Sequence, residues 1–154
     1  MPPDSATLSP ADYSALGEFR YRIRCFLQFS ESATRAEGME PQQHQLLLAV
    51  RALEHTDGPT IGALAEHLLI RHHSAVGLID RMAERGLVER VPGTQDRRQV
   101  KVKLTAQGET KLRRLSEIHR EELRHSGPTL VAALSSILGH LHIQEQDVIP
   151  RRET

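Results

Sequence analysis

The segment from residue 60 to residue 105 constrains the fold more than any other stretch, because its apolar spacing changes there from helical to strand-like. Thr60 is a suitable N-cap for a short first helix. In that helix Leu64, Ala65 and Leu68 recur at the spacing of one helical face. So short a helix needs a neighbour to cover its apolar side, and the residues that follow supply one.

A second helix is predicted over residues 72–85, followed by Gly86, which readily takes the left-handed conformation that ends a helix. The predicted buried face consists of Val76, Ile79, Met82 and Ala83. The opposite face, which we expect to stay exposed, carries His73, Ser74, Gly77, Leu78 and Arg81. A helix with small residues and an arginine on its free side suits the DNA major groove, roughly 12 Å wide, where arginine pairs with guanine.

The residues after Gly86 predict a two-stranded hairpin. The first strand contains Leu87, Val88 and Val91, and in the second Val100, Val102 and Leu104 alternate with Lys101 and Lys103. The polar loop between the strands runs from Pro92 to Arg98 and begins with Pro-Gly. Two helices followed by such a hairpin form a winged helix-turn-helix, and the predicted fold class is mostly α with one small β-hairpin.

Positive charge is concentrated in the same segment. Residues 71–103 contain eight Lys and Arg against four Asp and Glu, whereas the whole chain has 20 of each kind and no formal net charge. A local excess of this kind is typical of a surface that binds phosphates. The alternative is a solvated helix beside an ordinary hairpin.

At these residues the sequence resembles the MarR family of bacterial transcriptional regulators over roughly residues 12 to 143. The matching motifs are Leu64-Ala65 through Leu68, Ser74, Ile79-Asp80-Arg81-Met82, Arg85-Gly86-Leu87-Val88, Asp96-Arg97-Arg98 and Leu104-Thr105 with Gly108. Among winged-helix proteins, the Asp-Arg-Arg wing followed by this strand-to-helix junction is fairly specific.

The resemblance implies that Arg98 reaches a DNA minor groove from the wing tip and that Asp96 braces the wing by a salt bridge. Narrow A·T tracts attract arginine to that groove. The residues predicted to contact DNA are Arg71, His72, His73, Ser74, Gly77, Arg81, Asp96, Arg97 and Arg98. For His72 and His73 the alternative is that both are simply exposed imidazoles.

Helices are predicted on both sides of this segment, within one domain over residues 9–154. The first should start at Ser9-Pro10, a hydroxyl N-cap followed by proline, and stop at Gly38. Further helices are predicted over 41–54, 106–125 and 128–143, the last two separated by Gly127-Pro128. Residues 1–8 should be disordered. The winged helix-turn-helix would span about 40–105.

The terminal helices, over about 9–37 and 106–143, offer more apolar surface than the segment between them can cover. The first carries Leu16, Phe19, Ile23, Phe26 and Leu27, and the last Leu130, Leu134, Ile137, Leu138 and Leu141. A symmetric dimer would bury these stripes and present two recognition helices about one DNA turn apart, roughly 34 Å. The alternative is a monomer whose helices fold back on their own domain.

Cys25 allows two interpretations. The segment from Cys25 to Phe29 is similar to the sensing segment of the organic-peroxide-responsive branch of the family, although that branch supports its thiolate with tyrosine and position 29 is phenylalanine. Arg22, three residues earlier, could lower the thiol pKa if it shared that face. The alternative is a small packing residue.

We predict no metal site, because the histidines lack ligand spacing, and no cofactor or enzymatic activity, because the motifs of phosphate-binding loops, serine hydrolases and zinc proteases are missing from the sequence. The predicted partner is duplex DNA, with no membrane association, and the predicted location is the cytoplasm, since no long apolar stretch or signal pattern occurs.

The predicted function is a homodimeric regulator, a repressor in the first instance, that binds a pseudo-palindromic operator and is released by a small effector. The resemblance places the effector, often an aromatic acid or phenol in this family, near Phe26, Phe29, His44 and Leu48. The two alternatives are a redox-sensing regulator that uses Cys25 and a winged-helix module that binds protein rather than DNA.

Overall fold

The structure is a computed structural model that describes residues 8–54 and 58–140, without the side chain of residue 140. These residues form five helices and one two-stranded sheet. The helices are α1 (Pro10–Ala36), α2 (Pro41–Ala52), α3 (Ile61–His67), α4 (His72–Glu84) and α5 (Ala106–His140), and the strands, between α4 and α5, are β1 (Val88–Pro92) and β2 (Val100–Leu104). The fold is therefore the predicted, mostly helical one.

The first helix is bounded by the predicted signals. The Ser9 hydroxyl accepts a hydrogen bond from the Asp12 amide (3.2 Å), and the Asp12 carboxylate accepts one from the Ser9 amide (2.7 Å). This reciprocal pair satisfies two donors that a helix start otherwise leaves free. At the other end Gly38 has φ of +74°, the left-handed conformation that closes the helix.

The helix-turn-helix is built around a shared apolar core. The Thr60 side chain accepts a hydrogen bond from the Ala63 amide (3.1 Å) and so caps α3, as predicted. The core is lined by buried side chains of α2, α3, α4, the wing and α5, which include Leu46, Leu47, Val50, Leu64, Ile79, Met82, Val102 and Leu115. Burial of such aliphatic side chains contributes about 1.5–3 kcal/mol each. The recognition helix α4 is thereby fixed on a rigid base.

The wing is the predicted two-stranded hairpin, and its antiparallel register sets Val88 opposite Leu104 and Arg90 opposite Val102. Pro92 was expected in the loop, but it is the last residue of β1 and lies opposite Val100. An edge position tolerates proline because its missing N–H faces away from the ladder.

The predicted helix break at Gly127-Pro128 is wrong, because α5 continues through Pro128. A proline inside a helix removes one hydrogen bond and costs roughly 3 kcal/mol. Beyond it Ala133 and Ile137 are only 6% and 7% exposed, so burial of the later turns offsets that cost. The expectation that the last helix reaches residue 143 concerns residues outside the described set, as does most of the disorder predicted for 1–8.

The chain divides into two compact units that are best described separately. One unit contains residues 30–120, with the helix-turn-helix and the wing, and the other contains the described residues before 30 and after 120. None of the helices that the structure describes is both long and apolar enough to cross a bilayer.

Candidate nucleic-acid interface

The first turn of α4 presents the polar residues predicted for DNA contact. Arg71 is the N-cap residue, and its side chain makes no capping hydrogen bond. His72, His73 and Ser74 follow on the helix, and all four side chains are exposed. This turn can therefore approach a ligand without any rearrangement of the core.

The prediction that Leu78 lies on the exposed side of α4 is wrong. Leu78 is 2% exposed and Ala75 is fully buried, so both belong to the core beside Ile79 and Met82. Residues 75, 78, 79 and 82 follow the spacing of one helical face, a signal present in the sequence that the polar neighbours obscured. The predicted face members Val76 and Ala83 lie at its margin and are only partly buried.

The free side of α4 is consequently narrow and ends in an arginine. Arg81 is exposed, and one of its guanidinium nitrogens lies 3.4 Å from the point that a Cβ on Gly77 would occupy. The missing side chain at position 77 leaves room for the arginine to lie along the helix. The guanidinium of Arg81 thus offers a planar set of hydrogen-bond donors next to the backbone at Gly77, which no side chain covers.

The wing tip is held by its own backbone. The Gly93 amide donates to the Gln99 carbonyl (2.9 Å), and the Gln99 amide donates to the Asp96 carbonyl (3.0 Å). A Cβ on Gly93 would lie 2.6 Å from the Asp96 carbonyl oxygen, so only glycine permits this close turn. Arg97 and Arg98 are both exposed on the resulting loop.

Asp96 braces the wing, but not by the predicted salt bridge. Its carboxylate accepts a hydrogen bond from the Arg98 amide (2.9 Å), and within the described part of the chain it forms no ion pair. A short acidic side chain two residues before an amide favours this local bond. The backbone at Arg98 is therefore fixed, while its guanidinium stays available.

Two of the eight basic side chains within residues 71–103, those of Arg85 and Arg90, form bonds to other residues of the 30–120 unit. Arg90 of β1 bridges to Asp80 of α4 (2.6 Å). Arg85, just after α4, donates to the side chain of Gln43 (2.7 Å) and to the carbonyl of Gly38 (2.9 Å). Sequence reasoning missed both ties, because their partners are set by the tertiary fold.

The residues predicted for effector binding have different environments. Phe26 and Phe29 are half-buried on α1, and Leu48 of α2 is 47% exposed. His44, also on α2, is only 6% exposed. Two open cavities in the 30–120 unit, of about 390 and 470 Å³, are lined by residues other than these four.

His44 belongs to a buried polar cluster. Its ring stacks on that of His119 at 4.7 Å between centroids. The Nδ1 of His119 lies 2.6 Å from the Leu115 carbonyl, and the Nε2 lies 2.6 Å from the Ser30 hydroxyl. A carbonyl can only accept, so Nδ1 donates, and in a neutral ring Nε2 then accepts from Ser30. The cluster joins α1, α2 and α5 within one unit.

Burial, with a smaller effect from neighbouring His119, lowers the pKa of His44 to about 4. An unfolded histidine titrates near 6.5, so below that pH the unfolded chain binds a proton that the folded chain does not. We expect this site to reduce the free energy of unfolding by about 2–3 kcal/mol as pH falls from 6.5 to 4. Denaturant titrations of the protein and of His44→Phe across that range test this, and equal slopes would contradict it.

Cys25 is half-buried on α1. The neighbouring Cys25 raises the pKa of the Tyr21 hydroxyl, which lies one helical turn earlier. Arg22 pairs with Glu18 (2.6 Å). The redox role of Cys25 stays a prediction.

The metal-ligating residues of the described ranges do not gather into a site. No group of three or more His, Cys, Asp or Glu side chains there is arranged to hold a metal ion. The histidine pair at positions 44 and 119 is occupied by stacking and by hydrogen bonds.

Part of the chain is similar to known proteins. Residues 37–99 match the family model described as MarR family. The chain is 37% identical over 76 residues to the transcriptional activatory protein BadR of Rhodopseudomonas palustris, a match that covers 49% of this chain and 43% of BadR. The chain thus spans under half the length of that relative.

Solved structures share the fold. A point mutant of MepR from S. aureus superposes with a TM-score of 0.69 at 21% identity, over 84% of this chain and 98% of that one. A mutant of MarR from E. coli, complexed with operator DNA, gives 0.60 at 21% identity, over 79% and 89%. At such identities the likeness establishes the architecture alone.

Proposed function

We propose that the chain belongs to the MarR family, whose model matches residues 37–99, and that it regulates transcription by binding a pseudo-palindromic DNA operator as a homodimer. The observation that carries the proposal is the joint exposure of Ser74 and Arg81 on α4 and of Arg97 and Arg98 on the wing. The helix would enter the major groove and contact base edges, while the wing would reach the neighbouring minor groove. The operator complex of the E. coli neighbour supports this assignment.

The core under α4 supports DNA binding over protein contact. The apolar residues of α4 are directed inward, and its free side consists of small, polar and cationic groups. The fully buried part of a protein–protein interface is rich in aromatic and aliphatic side chains and poor in charge. The surface of α4 and the wing has the opposite composition, which suits phosphates and base edges.

Homodimerisation is proposed from the terminal unit. Several of its large apolar side chains are more than a third exposed in the single chain, namely Leu16, Leu27, Leu123, Val131, Leu134 and Leu138. Large apolar side chains left exposed in this number are typical of an interaction surface. A second copy would cover it and supply the second recognition helix that a palindrome requires.

The sign and control of regulation are the finer part of the proposal. We propose repression in the cytoplasm, relieved by a small effector. BadR is named as an activator, so a reporter assay with and without the protein must decide the sign. An effector acts only through unequal affinity for the DNA-binding and released states.

A salt titration on duplex DNA tests the proposal. Duplexes selected by the protein from a random pool should bind with an affinity that falls by about 10³-fold between 50 and 200 mM salt, since phosphate contacts release counterions. Sedimentation should give twice the chain mass of 17.3 kDa. A protein that bound no duplex at low salt would instead be a winged-helix module for protein contact.

A further inference from the structure

Arg85 connects the end of the recognition helix to the corner where α1 gives way to α2. One guanidinium nitrogen donates to the Gln43 side-chain oxygen (2.7 Å) and another to the Gly38 carbonyl (2.9 Å). The same Gln43 oxygen accepts from the Glu40 amide (3.0 Å), as part of the capping box that starts α2. A single side chain thus contacts both sides of the corner.

The corner itself is firmly placed. Met39, between Gly38 and the start of α2, is 2% exposed and belongs to the core. Gly38 in turn closes α1 in the left-handed conformation. The hydrogen bonds of Arg85 therefore end on residues whose backbone is held in place by the core and by the end of α1.

The hydrogen bonds of Arg85 lie beside an open cleft rather than among closely packed side chains. A cavity of about 390 Å³ separates the start of α2 from α4 and is lined by Glu40, Pro41, Gln42, Gln43, Leu78 and Arg81. The open cleft supplies no close contacts on that side, where the hydrogen bonds of Arg85 connect the end of α4 to the corner. Arg81, the arginine on the free side of α4, borders the same cleft.

We infer that Arg85 is a positioning residue, which holds α4 against the α1–α2 corner so that Arg81 and the first turn keep their register on DNA. The inference rests on the proposed function. It removes Arg85 from the set of phosphate-binding cations that the sequence suggested. Loss of the tie should disturb base contacts while leaving phosphate attraction intact, because sequence is read at base edges and phosphate contacts carry no sequence information.

The experiment compares operator affinity, random-duplex affinity and salt slope for the full chain and for Arg85→Ala, Arg85→Lys and Gln43→Ala, each well below its unfolding temperature. We expect each variant to lose about tenfold in operator affinity, as one poorly read base pair would cause. Lysine should fail because it lacks the planar fork that meets two acceptors. Random-duplex affinity and salt slope should stay unchanged.

The double variant Arg85→Ala with Gln43→Ala should lose little more than either single one, since both remove the same tie. Arg113→Ala is the matched control, because Arg113 is exposed and makes no hydrogen bond or ion pair with the described residues. A salt slope lower by about one with equal loss on random DNA would identify a phosphate contact instead. Unchanged operator affinity would mean that the hydrogen bonds of Arg85 stabilise the fold but have no role in DNA recognition. Failure of the unmodified protein to bind any duplex would overturn the proposed function itself.

Discussion

Replacing Arg98 with alanine is expected to weaken operator binding by about 1–3 kcal/mol, or roughly tenfold to more than a hundredfold. The side chain is exposed at the wing tip, and its backbone is fixed by the bond from its amide to Asp96. Little conformational freedom would therefore be lost by the loop on binding. The guanidinium would enter a narrow minor groove, where the negative potential is strongest.

Fluorescence anisotropy with the selected operator measures the effect, at one stated salt concentration. Arg98→Lys keeps the charge but not the planar fork and should retain part of the affinity, whereas Arg113→Ala should retain nearly all of it. If Arg98→Ala bound the operator as tightly as the unmodified chain, the wing would have no role in recognition. The loss should also be larger for operators with A·T pairs beneath the wing than for G·C-substituted ones.

Replacing Gly108 with alanine is expected to destabilise the fold by about 3 kcal/mol or more, because the added atom has no space. A Cβ at this position would lie 1.9 Å from the Leu87 carbonyl oxygen. That oxygen already accepts from the Thr105 amide (3.2 Å), and the Thr105 hydroxyl donates to the Gly86 carbonyl (2.6 Å). The obstacle is backbone held at both ends and cannot rotate away as a side chain could.

Chemical denaturation monitored by circular dichroism measures this loss. Gly62→Ala is the control, since its Cβ would meet only the Thr60 hydroxyl at 3.9 Å. That variant should be as stable as the unmodified chain, or more stable by about 0.5–1 kcal/mol, because alanine favours a helix over glycine. A Gly108→Ala protein of unchanged stability would mean that α5 does not approach the backbone of Leu87 as closely as the structure has it.

Arg98 and Gly108 lie near opposite ends of the wing hairpin. Arg98 lies at its exposed tip, while Gly108 lies just beyond its base, where β2 leads into α5. The Arg98→Ala variant should therefore unfold like the unmodified chain, and the Gly108→Ala variant should lose DNA binding only in proportion to its unfolded fraction. The two measurements together distinguish a residue that recognises DNA from a residue that holds the recognition elements in place.

What the sequence determined by itself is chiefly local. The starts of α1 and α3 and the left-handed ends at Gly38 and Gly86 follow from capping chemistry within a few residues. The two strands of the wing follow from the apolar alternation along β2 and the polar Pro-Gly loop before it. The exposed arginines of α4 and the wing were likewise evident, since no neighbouring pattern required their burial.

Only the tertiary structure decided the features that depend on residues distant in sequence. Helix α5 passes through Pro128, because the free energy of apolar burial at Ala133 and Ile137 offsets the local preference for a break. The stacking of His44 on His119 and the tie from Arg85 to Gln43 join residues 75 and 42 positions apart. Such pairs arise from how helices pack, and one sequence does not contain the distances that select them.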